Sequence, residues 1–207
     1  MLIKLGIIED SLYLRDIYEK FFAKCDGFEI VFSLPDWKNL YQGKNVSSPD
    51  IILLDLALPS GNSLQFIHKI KQLFPYARIV VLSGMDDPES AQTALKNGAQ
   101  GFLLKSSSME FIKDALEKTY QGGTPLSPAI VNHLIELKTQ QSAPGHDHGL
   151  TKRELDLCNL VITGMSNKMI AATMNIAFFT VNQHLKHIYK KLNINSKGEL
   201  IAYLMKS

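Results

Sequence analysis

The chain lacks the features that would take it out of the cytoplasm. It has no uninterrupted apolar stretch near the roughly 20 residues needed to span a bilayer. Its opening residues, Met1 to Asp10, do not show the signal-peptide order of basic region, apolar core and small-residue cleavage site. A cytoplasmic protein with no membrane partner is expected. Only two cysteines, Cys25 and Cys158, occur, each within a few residues of an apolar run. That excludes a disulfide framework or a thiolate metal site and predicts buried free thiols. Low-complexity tracts and internal repeats are also missing. Charge of one sign is scarce as well, with a net +2, but the balance is uneven. From Leu150 onward eight Lys/Arg face three Asp/Glu, whereas the rest carries 14 against 17. An acidic part joined to a basic part implies that only the second meets a polyanion.

What is present divides in the same way. Short runs rich in Ile, Val, Leu and Phe occur at Ile3–Ile8, Glu29–Leu34, Ile51–Leu54, Ile79–Leu82 and Gly101–Leu104. Several are apolar at successive positions, as strands buried on both faces of a parallel sheet must be. Helical patterns alternate with them at Leu12–Ala23, Trp37–Tyr41, Leu64–Leu73, Glu89–Lys96 and Phe111–Tyr120. Five strand-then-helix units predict an α/β, doubly wound, five-stranded parallel sheet with right-handed crossovers. Such sheets bind ligands beyond the carboxyl ends of their strands. After Gly122-Gly123 a further helix is expected at Pro128–Lys138. Gln140 to Gly149 has almost nothing to bury and reads as a linker, its His146 and His148 solvated rather than metal-bound. The expected divisions are residues 1–121, a connecting helix and linker over 122–149, and an all-α unit over 150–207.

Polar residues fall at the strand ends. Glu9 and Asp10 come directly after the first strand, Asp55 ends the third, Ser83 ends the fourth and Lys105 comes after the fifth. A parallel sheet gathers all five at one edge. Three carboxylates there repel one another unless a hard cation joins them, and oxygen donors of this kind suit Mg²⁺. Asp55 is then placed to attack phosphorus and carry an aspartyl phosphate. Lys105 would neutralise a phosphoryl oxygen, and the Ser83 hydroxyl would donate to another. On Glu9-Asp10, Asp55, Leu58-Pro59, Ser83-Gly84 and Lys105, this part resembles the receiver domains of two-component response regulators, which are flavodoxin-like. The resemblance implies that Glu9, Asp10, Asp55 and the Ala57 carbonyl bind Mg²⁺. It also implies that Phe102, three residues before Lys105, is the aromatic that moves with the switch hydroxyl of Ser83. Ser63 and Ser106 stand where relatives often carry glycine and proline, and neither change removes a pocket group. Ala57 and Met85, two residues past the acceptor and the switch hydroxyl, are both apolar. Neither can hydrogen-bond an attacking water, so slow self-dephosphorylation is expected.

In the basic part, Thr151 with Glu154 three residues on forms a capping box. Ser166 caps a short helix at Asn167–Met174, and Asn175-Ile176-Ala177 leads into a longer one at Phe178–Leu192. Two helices joined by a tight turn make a helix-turn-helix, whose second helix enters the major groove. Val181, Leu185, Ile188 and Leu192 recur at helical spacing and should face the core. The opposite face carries Asn182, Gln183, Lys186, His187 and Lys190, residue types that pair with bases or phosphates. Thr180, near the helix start, is placed to hold a phosphate. Leu150-Thr151, Arg153-Glu154, Gly164, Ser166-Asn167-Lys168, Ile170-Ala171, Thr180-Val181, His184, Ile188 and Lys191-Leu192 resemble the C-terminal domain of the NarL/FixJ response regulators, shared with LuxR-type activators. By that resemblance Asn182, Gln183 and Lys186 face the groove. Asn182 replaces a usual lysine, which implies an altered DNA preference. Ala177 replaces a usual capping serine, which implies a frayed helix start, and Lys197 stands where arginine is common.

Together the two resemblances imply a transcriptional regulator rather than an enzyme. A sensor histidine kinase or phosphotransfer protein would phosphorylate Asp55, and an active homodimer would bind double-stranded DNA. A phosphatase of the haloacid dehalogenase type needs a second Asp where this chain has Ala57. The remaining alternative is a DNA-binding regulator that ignores phosphorylation and uses its receiver as a dimerisation platform. An intact pocket argues against it.

Overall fold

Each of the five apolar runs is too short for a helix of useful length and is bounded by polar or glycine residues, so each forms a strand. In the computed structural model, which describes residues 2–41, 47–132 and 149–205, these are β1 (Ile3–Ile8), β2 (Phe28–Leu34), β3 (Ile51–Asp55), β4 (Arg78–Ser83) and β5 (Gly101–Leu104). They form one parallel sheet in the order β2-β1-β3-β4-β5. The helices between them are α1 (Leu12–Phe22), α2 (Ile67–Leu73), α3 (Pro88–Lys96) and α4 (Met109–Tyr120). Every residue of the central β3 is buried. Alternate residues of β1 serve opposite faces. Leu5 and Ile7 pack with Tyr18, Phe22, Ile112 and Leu116, while Ile8 joins the core under α2 and α3.

Caps explain the helix starts. Ser11, Asp87 and Ser108 accept first-turn amides of α1, α3 and α4, so α3 and α4 begin one and two residues before the periodicity alone implies. Trp37–Tyr41 is a 3₁₀ turn rather than an α-helix, being only five residues long. The stretch expected as one helix from Leu64 opens instead with a 3₁₀ turn at Ser63–Phe66 before α2. A short hairpin, Ala57–Leu58 against Gly61–Asn62, comes after β3, with Gly61 at φ 112° making the turn. Its two-residue strands are too short to carry a periodicity. Cys158 is buried as expected, but Cys25 is only half-buried. The expected helix at Pro128–Lys138 is described from 128 to 132. The rest of it, with His146 and His148, lies outside the described residues.

The basic part forms α5 (Lys152–Ile162), α6 (Asn167–Met174), α7 (Phe178–Leu192) and α8 (Lys197–Leu204). Thr151, Ser166 and Ser196 cap three of them, whereas Ala177 offers α7 no side-chain bond. Asn175, left-handed at φ 51°, ends α6 and sets the tight turn into α7. None of the helices among the described residues is long and apolar enough to cross a membrane.

The two parts share one continuous core. α8 lies against α3, where Gln92 Nε2 donates to the Ala202 carbonyl at 2.8 Å. A Cβ on Gly198 would sit 3.1 and 3.2 Å from the Leu95 and Ala99 carbonyl oxygens, so glycine lets the helices approach this closely. The segment after α4 also lines the edge strand. Phe102 N donates to Pro125 O at 3.1 Å, Ser127 N to Phe102 O at 3.1 Å, and Leu104 N to Ser127 Oγ at 2.8 Å. The exposed edge of β5 is thereby paired.

Glu154 anchors the basic part. Its carboxylate accepts from Thr151 N at 2.7 Å and from Lys191 Nζ at 2.7 Å, so it ties α5 to the end of α7. Burial acts to raise its pKa, but Lys191 and the Thr151 donors outweigh it and hold the group below its ordinary value. A depressed folded pKa contributes stability above the unfolded value and loses it as pH falls. Glu154→Gln should therefore cost about 1 kcal/mol at pH 7. In urea titrations the gap to wild type should narrow as pH drops below the ordinary Glu range.

Candidate functional site

The strand order reverses between β1 and β3, and the crevice at their carboxyl ends collects the residues that come directly after each strand. Asp55 closes β3, Glu9 and Asp10 succeed β1, and Lys105 succeeds β5. One carboxylate oxygen from each of Glu9, Asp10 and Asp55 lies within 4.8 Å of the others. Glu9 and Asp55 are buried, while Asp10 is exposed. Lys105 Nζ lies 2.8 Å from Glu9 Oε2 and 2.9 Å from Asp55 Oδ1. The four charged residues picked out by their strand ends are thus in one pocket.

The other expected members sit close by in different states. Ser83 is buried at the end of β4, but its hydroxyl donates to Met85 O at 2.7 Å and accepts from Met85 N at 3.1 Å. Phe102 is wholly buried in the core beneath α3. Ala57 is exposed, and its amide donates to Asp55 Oδ1 at 3.2 Å. Two residues at the pocket carry no signal in the sequence. Arg15 Nη1 donates to the Glu9 carbonyl at 2.8 Å, fixing the chain where it leaves β1. Tyr18 is buried on α1, and its hydroxyl has no partner among the described residues. Burial, with the charges of Glu9 and Asp55, pushes its pKa up and keeps it protonated. Neither residue stands out in a helical pattern, where Arg and Tyr are commonplace.

Burial raises the pKa of Glu9, and the Asp55 charge adds to it; Lys105 offsets part of the shift. Asp55 is likewise raised by burial and by Asp10, against the pull of Lys105 and the Ala57 amide. For Lys105 itself burial works downward, yet the two carboxylates prevail and raise it. Three acids therefore share one cation, leaving about two negative charges in excess. Asp55 Oδ2 is buried with no hydrogen-bond partner among the described residues. An all-oxygen donor set, an excess of two negative charges and one side open through Asp10 fit Mg²⁺, which retains waters. The acidic triad is of the Mg²⁺-binding type found in receiver phosphorylation sites.

On α7, Val181, Leu185, Ile188 and Leu192 are buried, and Gln183, Lys186, His187 and Lys190 are exposed. Thr180 and Asn182 are half-buried, and Asn182 Oδ1 accepts from Asn167 Nδ2 at 2.8 Å. That amide clasp joins the two helices of the helix-turn-helix. Lys197 is turned inward with its Nζ donating to Met165 O, and burial pushes its pKa down to about 8.

The geometry is that of a receiver domain with a helix-turn-helix as its output. Residues 5–117 match the family model "Response regulator receiver domain", and residues 148–204 match "Bacterial regulatory proteins, luxR family". The chain is 33% identical to the oxygen regulatory protein NreC of Staphylococcus carnosus (strain TM300), over 98% of its own length and 97% of that protein's. It is 34% identical to NreC of Staphylococcus epidermidis (strain RP62A), with the same coverage. Among solved structures, RcsB of Salmonella typhimurium superposes with a TM-score of 0.60 at 20% identity, covering 100% of this chain and 99% of that one. A LuxR-family response regulator from Aurantimonas sp. SI85-9A1 gives 0.62 at 24% identity, covering 67% and 99%. The chain belongs to the two-component response regulators of the NarL/FixJ family, a receiver domain joined to a LuxR-type helix-turn-helix.

If the triad takes Mg²⁺, the ion should raise the melting temperature of the wild type relative to NaCl at equal ionic strength. At a hundred times Kd the gain is about 2.7 kcal/mol. Asp10→Asn should lose most of it in a thermal-shift titration.

Proposed function

We propose that Asp55 is the phosphoacceptor and that its phosphorylation controls DNA binding by the helix-turn-helix. The observation that carries this is the state of the Asp55 carboxylate. Lys105 and the Ala57 amide hold Oδ1, while Oδ2 is buried and has no partner among the described residues. Oδ2 attacks the phosphorus of a phosphohistidine on a sensor kinase or phosphotransfer protein. The new O–P bond forms as the N–P bond breaks, and the imidazole leaves with the electron pair. Glu9, Asp10, Asp55 and the Ala57 carbonyl would hold Mg²⁺, which supplies charge neutralisation at the transferring phosphoryl group. Lys105 shifts part of its contact from Glu9 to a phosphoryl oxygen. Ser83 gives up Met85 to donate to another.

That exchange reaches the output through the core. Phe102 lies in the packing that continues into the basic part, and its backbone is paired with residues 125 and 127. A rearrangement of Ser83 and Phe102 therefore loads the contact between α3 and α8. We place the working protein in the cytoplasm, as a homodimer with α7 of each copy in a major groove. Thr180, Asn182, Gln183, Lys186, His187 and Lys190 would make the contacts, with Asn182 first releasing Asn167. Support comes from the excess of basic residues after Leu150 and from the exposed polar face of α7. RcsB, which shares the fold, has a structure of two dimers on two parallel DNAs.

Acetyl phosphate and Mg²⁺ should add one phosphoryl group to the wild type and none to Asp55→Asn, as read by intact mass. An adduct that survives the substitution would sink the proposal. Because the side chains of Ala57 and Met85 are apolar and cannot hydrogen-bond an attacking water, the acyl phosphate should last minutes or longer; decay within seconds would overturn that part. Lys186→Ala should weaken DNA binding and lower its salt dependence by about one counterion.

A further inference from the structure

The recognition helix begins with two phenylalanines on the surface. Phe178 and Phe179, the first two residues of α7, are 48% and 69% exposed, although phenylalanine is ordinarily a core residue. They do not fill the domain core; Val181, Leu185, Ile188 and Leu192 do. No ring among the described residues stacks on either one. Helical spacing puts Phe178 one turn before Asn182, and Phe179 one turn before Gln183 and two before Lys186. The pair is thus the N-terminal continuation of the exposed polar stripe.

Resting on the DNA reading above, that position has a consequence. A helix-turn-helix presents the N-terminal residues of its second helix to the base edges. A phenyl ring cannot hydrogen-bond a base edge. What it can recognise in the major groove is the 5-methyl group of thymine, the one apolar feature of the base code there. We infer that Phe178 and Phe179 read thymine methyl groups and bias the half-site toward thymine beneath the start of α7. A second copy of this chain is the rival occupant. The residues flanking the rings on the same stripe, Gln183 and Lys186, are polar or cationic and suit a nucleic acid better than an apolar protein face.

The test starts from duplexes selected out of a random library by the full-length protein, treated with Mg²⁺ and acetyl phosphate. Selected half-sites should carry thymine at one or two fixed positions. Replacing each by uracil removes only the methyl group. Wild-type affinity should fall about fourfold per methyl contacted, and uracil should be neutral elsewhere. Phe178→Ala and Phe179→Ala should bind thymine and uracil duplexes equally at the position each ring covers, with the melting temperature unchanged. The inference fails if uracil is neutral everywhere for the wild type. It fails too if the variants still distinguish uracil from thymine as the wild type does. Variants that lose self-association in sedimentation, with base preference intact, would assign the rings to a second copy. A wild-type protein that retains no duplex under any condition overturns the DNA reading itself, and this inference with it.

Discussion

One ammonium group makes the receiver pocket possible. Lys105 reaches from just past β5 to the carboxylates that come after β1 and close β3, 96 residues away along the chain in the case of Glu9. Two buried carboxylates without it would each bear an uncompensated desolvation cost, which in a protein interior amounts to several kcal/mol per ion. With it, the cluster is held but not neutralised. The excess negative charge that remains is what makes the site receptive to a divalent cation. The Asp55 oxygen with no partner among the described residues is the one left free for the proposed phosphoryl transfer. The pocket's stability and its proposed chemistry therefore rest on the same cluster.

The strand that carries Lys105 also connects the pocket to the rest of the molecule. β5 contributes Phe102 to a core shared with the basic part, and its free edge is closed by residues 125–127. The same stretch touches the turn after α5, where Thr124 N donates to Gly164 O at 3.4 Å. A change at the sheet edge thus meets the output domain by two routes, the packed core and the paired edge. The close approach of α8 to α3 at Gly198 leaves little slack in that contact, because packed interfaces tend to be bistable rather than continuously deformable. This is physical continuity between two sites, and it is what a switch between them requires.

Much of this is legible in the chain. The five strands and their helices come from apolar runs broken at regular intervals, and the pocket charges stand out because each falls where a strand ends. The buried face of α7 is readable from Val181, Leu185, Ile188 and Leu192, and the missing cap at Ala177 from a single residue. Other features leave no local trace. The hairpin after Asp55 is too short to show a period, and the 3₁₀ turn at Trp37–Tyr41 has the composition of a helix. Arg15 and Tyr18 look like ordinary members of α1 until the fold sets them beside Glu9. Phe178 and Phe179 read as core residues in any hydropathy pattern; only their exposure makes them a surface.

By itself, then, the sequence determined the order of the main strands and helices, the caps at Thr151 and Ser166, the split of charge and the identity of the charged pocket groups. These are local or periodic properties, set by side-chain chemistry and spacing along the chain. Tertiary structure decided how those groups are poised: Ser83 bonded to Met85, Asn182 clasped to Asn167, Lys197 turned inward, and α8 seated on α3. Apart from the local turn at Ser83, each depends on a partner in another element, where burial and approach distance are properties of the whole fold rather than of any segment.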